Sequence, residues 1–398
     1  MAVVLEPGRE VRVAASADVV IAGGGIAGVA AALAAARTGA ETLLLEKECA
    51  LGGLATLGLI VMYLPLCDGK GHQVIGGIGE ELLRKSVEHG SVTSGGHGRI
   101  PNCWNGPASE EQRRAHRFRV DYDAAPMMLM LERLLREAGV KLWYDTRLCA
   151  VQRHEKEISH ILVENKSGRL AIAARAFVDA TGDADLCALG GEETEGYLSN
   201  RRSGWYFSMH PNEGVRLHPL TDPLDGPCPP GSRYYRLSGS EVSAYVEDMH
   251  DMIRGHAATQ KGALPLLIPA LPLMRMTRRL CGRETLTRED LGRWRTDAVA
   301  MTGDWRRPAP VYTIAPGHLM GRTSNLFAVG RCISAAGDAW DVIRAIPACA
   351  ATGQAGGTMA SILARTGRIE AQELRKQLLH DGMILDPALT SEEGGKQA

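Results

Sequence analysis

The sequence predicts an α/β protein in which a parallel sheet carrying an inserted antiparallel meander is joined to a second, discontinuous α+β unit. Three observations carry that expectation. The apolar stretch Asp18-Val19-Val20-Ile21-Ala22 runs straight into Gly23-Gly24-Gly25-Ile26-Ala27-Gly28 and an alanine-rich helix over 27–37, closed by Gly39. A second strand over 41–45 ends in an acid, Glu46. Far along the chain, 325–329 reads as another short buried strand, followed after 346 by a helix rich in small residues.

The first of these elements has GxGxxG spacing. Gly23 permits the turn, Gly25 lets a pyrophosphate approach the backbone, and Gly28 lets helix and strand pack closely. The helix N-terminal N–H groups of Ile26 and Ala27 then face the phosphates. Glu46, ending the next strand, is placed to accept hydrogen bonds from both hydroxyls of an adenosine ribose, which disfavours a 2′-phosphate there. The fingerprint alone leaves NAD and FAD open. Downstream of Glu46 and Lys47 lies a second glycine pair, Gly52-Gly53, followed by Leu54-Ala55-Thr56, where a long cofactor would pass onward.

Composition narrows the classes. The chain has 398 residues, enough for two or three domains. Its 45 basic and 46 acidic residues give a formal charge of −1, without the positive footprint of a general nucleic-acid binder. The nine cysteines include no CxxC pair, so zinc ribbons and ferredoxin-type clusters are disfavoured, and no HExxH or other metal spacing is present. No secretory signal is recognisable at the start, which makes the cytoplasm the expected location. The uncharged run 19–36 is long enough for a membrane span, but its glycines fit a strand, turn and helix. The run 263–274 is too short and holds three prolines.

Further along, 121–138 reads as an amphipathic helix with Met127, Leu131, Leu134 and Leu135 inward. Strands are expected over 141–144, 148–153, 158–165, 170–174 and 177–180, the last ending in Thr181-Gly182-Asp183. Between 197 and 310 the expected elements are strands at 205–209, 234–237 and 273–280, a helix over 240–256, and another capped by Thr287 with Asp290. Residues 211–231 read as an irregular loop and 386–398 as a polar tail.

Together DVVIAGGGIAGVAAALAAARTGAETLLLEK, LGGLATLGL, DGKGHQVIGGIGEELL, FVDATGDADL and NLFAVGRCISAAGDAWDVIRAIPACAATGQAGGTMAS resemble the FAD-dependent oxidoreductases of the glutathione-reductase-like superfamily, related more distantly to fumarate reductase flavoproteins. The resemblance covers most of the chain and implies one FAD, held extended in a Rossmann-like domain. It implies contacts from Gly23, Gly25, Ile26, Ala27, Gly28, Glu46, Lys47, Gly52, Gly53, Ala55 and Thr56. The backbone near Leu148 would meet the adenine, and Ala180, Thr181, Gly182 and Asp183 would close over the cofactor. Gly330 and Arg331 would reach phosphate and Asp338 a ribitol hydroxyl. Ala351, Thr352 and Gly353 would open a helix aimed at the pyrimidine edge of the flavin. The FAD domain would comprise 17–60, 121–195 and 311–368. Residues 61–120 and 196–310 would build the substrate domain, with a C-terminal helix and tail over 369–398.

Two departures touch the chemistry. Many members carry Thr-His-Glu-Ala where this chain has Ala336-Gly337-Asp338-Ala339, and an Ile-Pro-Tyr-Arg type sequence where it has 312–318. His318 thereby becomes a candidate proton acceptor, weighed against an ordinary satisfied histidine. Arg344 faces either flavin or substrate, or makes a loop salt bridge. The arginines at 113, 114, 117 and 119, and those at 275, 278, 279 and 283, face an anionic substrate or carrier, or form a solvated face. The expected activity is hydride transfer between a small organic substrate and flavin, with the electron donor or acceptor and the oligomeric state open. The alternatives are a flavin monooxygenase, a tRNA-modifying flavoprotein and a flavin-stabilised non-catalytic subunit.

Overall fold

Alternation along the first strand decides how the sheet is covered. In β1 (Val13–Ala22), Val19 and Ile21 enter one core while Val20 and Ala22 enter another, so the strand is apolar on both faces. A strand of that kind belongs inside a parallel sheet clothed on both sides. The other strands are β2 (Thr42–Leu45), β3 (Lys141–Trp143), β4 (Arg147–His154), β5 (Glu157–Asn165), β6 (Gly168–Asp179) and β7 (Leu326–Ala328). Their order is β3-β2-β1-β6-β5-β4, with β7 also beside β6. The β1–β2, β2–β3, β1–β6 and β6–β7 pairs are parallel, whereas β4, β5 and β6 form the antiparallel meander. In this computed structural model residues 3–5, 8–91, 98–197, 200–222, 233–234 and 237–390 are described.

Three helices pack on the sheet: α1 (Ile26–Arg37), α2 (Ala124–Glu137) and α3 (Ile346–Thr366). The first and third approach backbone to backbone. A Cβ on Gly353 would sit 2.3 Å from the Ala27 carbonyl oxygen, and one on Gly357 2.1 Å from that of Ala31. Alanine on one helix and glycine on the other is what permits this spacing, since any larger side chain would hold the helices apart.

The mixed architecture expected from the sequence is present, with several local differences. The strands read at 170–174 and 177–180 are one continuous strand, β6, because its first part pairs with β5 and its second with β7. The stretch 211–231 is not all loop. Gly214–Thr221 pairs along Ser203–His210, which also pairs with Leu264–Leu267 and packs beneath the helix Gly239–Thr259. Only Arg278–Leu280 of 273–280 is strand, and Thr287 with Asp290 caps a single 3-10 turn rather than a helix. Helices at Gly77–Ser86 and Glu110–Ala115 carried no expectation. The remainder of the 211–231 reading, positions 235 and 236 of the 234–237 strand, 391–398 of the tail, His97 and Cys228 lie outside the described residues. Among the described residues no helix is long and apolar enough to cross a membrane.

Candidate functional site

The C-terminal edge of the parallel strands gathers the glycine turn. Gly23 has φ +105°, and a Cβ there would sit 2.4 Å from the Ala180 carbonyl oxygen. At Gly28 it would be 1.8 Å from the Gly23 carbonyl, so helix and turn meet only because this position is glycine. Gly25 differs. Its backbone is ordinary (φ −65°, ψ 177°), and a Cβ added there would meet nothing within 4 Å. An open face thus lies at the N-terminus of α1, and Gly52 bridges to Gly25 beside it. Gly53 and Ala55 continue into a 3-10 turn, and buried Thr56 donates to the Leu51 carbonyl.

Glu46 borders the same face. One carboxylate oxygen accepts the Gly24 N–H at 2.6 Å and the other the Glu48 N–H at 2.9 Å. Burial raises its pKa, with the two N–H bonds opposing. A carboxylate offers about four lone-pair sites, so two remain for hydroxyl donors. Lys47 is exposed next to it, and Leu148 lies on β4, half-buried. The open face and the spare acceptor capacity of Glu46 both fit an extended adenine dinucleotide.

Beyond β6, Asp179 is fully buried and organises the following turn. One oxygen accepts the Thr181 N–H and hydroxyl, the other the Cys187 N–H. Ala180 is buried against the glycine turn. Gly182 lies against the Arg331 guanidinium, and Asp183 accepts from Thr277 at 2.6 Å. Arg331 donates to the Met274 and Arg275 carbonyls and lies 3.7 Å from Asp183. Behind it, the Gly330 N–H donates to the Thr352 hydroxyl.

Here the structure corrects the reading of α3. The helix begins at Ile346, so Ala351, Thr352 and Gly353 lie in its second turn, buried against α1, and the helix N-terminus falls at Ala345 to Ala348. Pro347, which fits only a first turn, marks that start in the sequence.

The other chemical candidates have internal partners. His318 is 2% exposed, and its Nδ1 accepts the Ala315 N–H at 3.0 Å, capping the short helix Pro316–Leu319. Burial holds its pKa below the ordinary value of 6.5, so the ring is neutral and one nitrogen is already occupied. That geometry gives His318 a folding task, with Nδ1 taken up by the cap. Asp338 receives a bidentate bond from Arg306, which keeps its pKa low, and Arg344 donates twice to Asp341 while stacking on Trp305 at 5.6 Å. Both are thus in salt bridges, the alternative weighed for Arg344.

Three features escaped the sequence reading or stood at its margin. Arg275 lies over Trp205 at 5.5 Å with its Nε lacking an acceptor among the described residues. Burial, then nearby Arg344 and Arg331, pull its pKa down to about 9. Tyr312 is fully buried with no partner for its hydroxyl among the described residues, its pKa pushed up to about 12 by burial and then by Asp338 and Asp304. His210, His218 and His256 converge around Tyr206, whose hydroxyl lies 2.9 Å from His256 Nδ1. No spacing rule finds this group, because two of its histidines face each other across a hairpin and the third comes from a helix. Among the described residues no cluster of His, Cys, Asp or Glu is placed to hold a metal.

A doubly covered sheet, a glycine turn at its C-terminal edge and an acid one strand away define a dinucleotide-binding class of protein. The chain belongs to the FAD dependent oxidoreductase family, which residues 18–204 and 192–380 match, and FAD is its cofactor. Among solved structures it is similar in fold to p-nitrophenol 4-monooxygenase from Pseudomonas putida DLL-E4, at 11% identity over 92% of this chain and 84% of that one, with a TM-score of 0.52. A geranylgeranyl bacteriochlorophyll reductase-like protein from Thermoplasma acidophilum aligns at 13% identity over 91% and 82%, with a TM-score of 0.45.

Proposed function

We propose that the protein transfers a hydride between a small organic substrate and the isoalloxazine N5 of FAD, the two-electron chemistry this cofactor supplies. The observation that carries the reading is the open backbone face at Gly25 flanked by the Glu46 carboxylate, within a chain of the FAD dependent oxidoreductase family. Glu46 would orient the adenosine ribose through its remaining lone pairs. The N–H groups at the start of α1 would face the pyrophosphate, with Gly52 and Gly53 alongside. The domain division given above follows: the sheet with α1 and α3 would hold FAD, and 61–120 with 196–310 would present the substrate.

Arg275, Arg331 and Arg344 form a partly desolvated positive group with two acids beside it, Asp341 at Arg344 and Arg275 and Asp183 at 3.7 Å from Arg331. Such a group stabilises negative charge developing nearby in the reaction. The proton partner is then sought at Tyr312, whose hydroxyl is unengaged, rather than at His318.

The test is anaerobic. Purified holoprotein is mixed with panels of candidate reductants and substrates, and its flavin absorbance is followed. Bleaching by a small organic compound, with stoichiometric two-electron oxidation of that compound, supports hydride transfer. Reduction only by a nicotinamide, with product formed only on adding oxygen and carrying an oxygen atom, places the protein among monooxygenases. Flavin that no small molecule bleaches would leave a non-catalytic role.

A further inference from the structure

A cleft of about 1180 Å³ opens between the strand Met62–Tyr63, residues 99–121 and the pair Trp305-Arg306. That is somewhat above the ~300–1,000 Å³ typical of small-molecule sites. Its charge is one-sided. Arg99, Arg117, Arg119 and Arg306 line it, against one acid, Asp121, among the described lining residues. Arg306 is neutralised by Asp304 and Asp338. Arg99 and Arg119 have no carboxylate partner among the described residues.

Arg117 is the best defined of the group. Its two terminal nitrogens donate to the Trp305 and Asp304 carbonyls at 2.9 and 3.2 Å, which fixes the guanidinium without cancelling its charge. Its Nε is shielded from solvent and has no acceptor among the described residues. The Asp304 carboxylate is already held by Arg306 and Arg307. On the adjacent helix, Glu110 is engaged by Arg114 and His72. A half-buried guanidinium with neutral partners only is a recognition group for a carboxylate or phosphate. The lining also has an apolar part, with Met62, Leu64 and Ile100.

We propose that this cleft binds a small organic anion, a carboxylate or phosphate ester with an apolar body, whose anionic end is held by Arg117 and Arg119. Naming that anion the substrate rests on the hydride-transfer reading. The connection is physical: Trp305 forms the cleft wall, carries Arg344 on its ring and donates its indole N–H to the Asp341 carbonyl. A mixed apolar and cationic cleft in a chain of net charge −1 suits a small anion better than a nucleic-acid backbone, which needs an extended basic surface.

The test is isothermal titration of the FAD-loaded protein with 2-naphthoate, 2-naphthyl phosphate and neutral 2-naphthamide. At least one anion should bind, with the amide about tenfold weaker or worse. Arg119→Gln, at an exposed position whose loss does not threaten folding, should weaken the anion about threefold or more. Arg117→Gln combined with it should weaken binding at least about tenfold while the flavin spectrum is retained. The tighter of the two anions identifies the carboxylate or phosphate source. Equal binding of the amide, no binding of either anion, or variants that bind as the wild type would overturn the proposal. So would displacement of the probe by a short single-stranded RNA at much lower concentration. Flavin bleaching is scored separately: naphthoate binding with a flavin that nothing reduces leaves the cleft standing and removes the hydride transfer, and the converse removes the cleft.

Discussion

The glycine turn and the segment from Pro316 to Arg344 each adjoin a strand of the same sheet, yet they differ in how their polar groups are engaged. Around Gly25 the backbone face is open and Glu46 keeps acceptor capacity to spare. Between 316 and 344 the same kinds of groups are already matched: His318 with the Ala315 N–H, Asp338 with Arg306, Arg344 with Asp341. A site that awaits a ligand leaves geometry unfilled, whereas a side chain already satisfied at short distance holds the fold.

Breaking the turn should have the largest effect. Gly28→Ala places a methyl 1.8 Å from a backbone carbonyl, so the turn must open; a loss of about 3 kcal/mol or more in urea unfolding is expected, with no flavin retained. Glu46→Ala comes next. It strands the buried Gly24 N–H and removes an acceptor for the ribose, with about 1 to 3 kcal/mol lost from stability and weaker FAD retention on dialysis.

His318 sharpens the contrast through pH. Its folded pKa lies below 6.5, so the unfolded chain binds the extra proton first as pH falls, and stability drops with acidification through the window below about 6.5. His318→Asn keeps an acceptor for the Ala315 N–H but cannot titrate. Its unfolding free energy should vary less over that window, and its flavin should be reduced at the wild-type rate; a mutant slowed a hundredfold would restore His318 to the chemistry. The smallest effect is expected from Asp338→Asn, whose partly exposed pair with Arg306 contributes no more than about 1 kcal/mol.

The same contrast explains what was legible in the sequence. Gly23 and Gly28 announce themselves because their constraint is local and steric, and the unbroken apolar run Val19 to Ala22 announces a doubly buried strand. The start of α3 was misread because small residues favour both a ligand-facing helix end and a tightly packed helix interior, and only the partner at Ala27 and Ala31 separates the two. The capping bond of His318 was not legible because its partner is a backbone N–H three residues away, which leaves no trace in residue type. The unpaired Nε of Arg275 and the convergence of His210, His218 and His256 arise from contacts distant in sequence, beyond any spacing rule.

The central claim, that FAD lies across the open face of the turn, is tested most directly by Gly25→Val. The backbone at Gly25 suits any residue and the added side chain meets no protein atom in its first step, so the apoprotein should unfold at the wild-type denaturant midpoint. The same side chain would occupy the space of the pyrophosphate. FAD titrated into this apoprotein, followed by flavin fluorescence, should bind at least about a hundredfold more weakly than to the wild type, a difference of roughly 2.7 kcal/mol. A stable Gly25→Val protein that binds FAD with wild-type affinity would contradict the account.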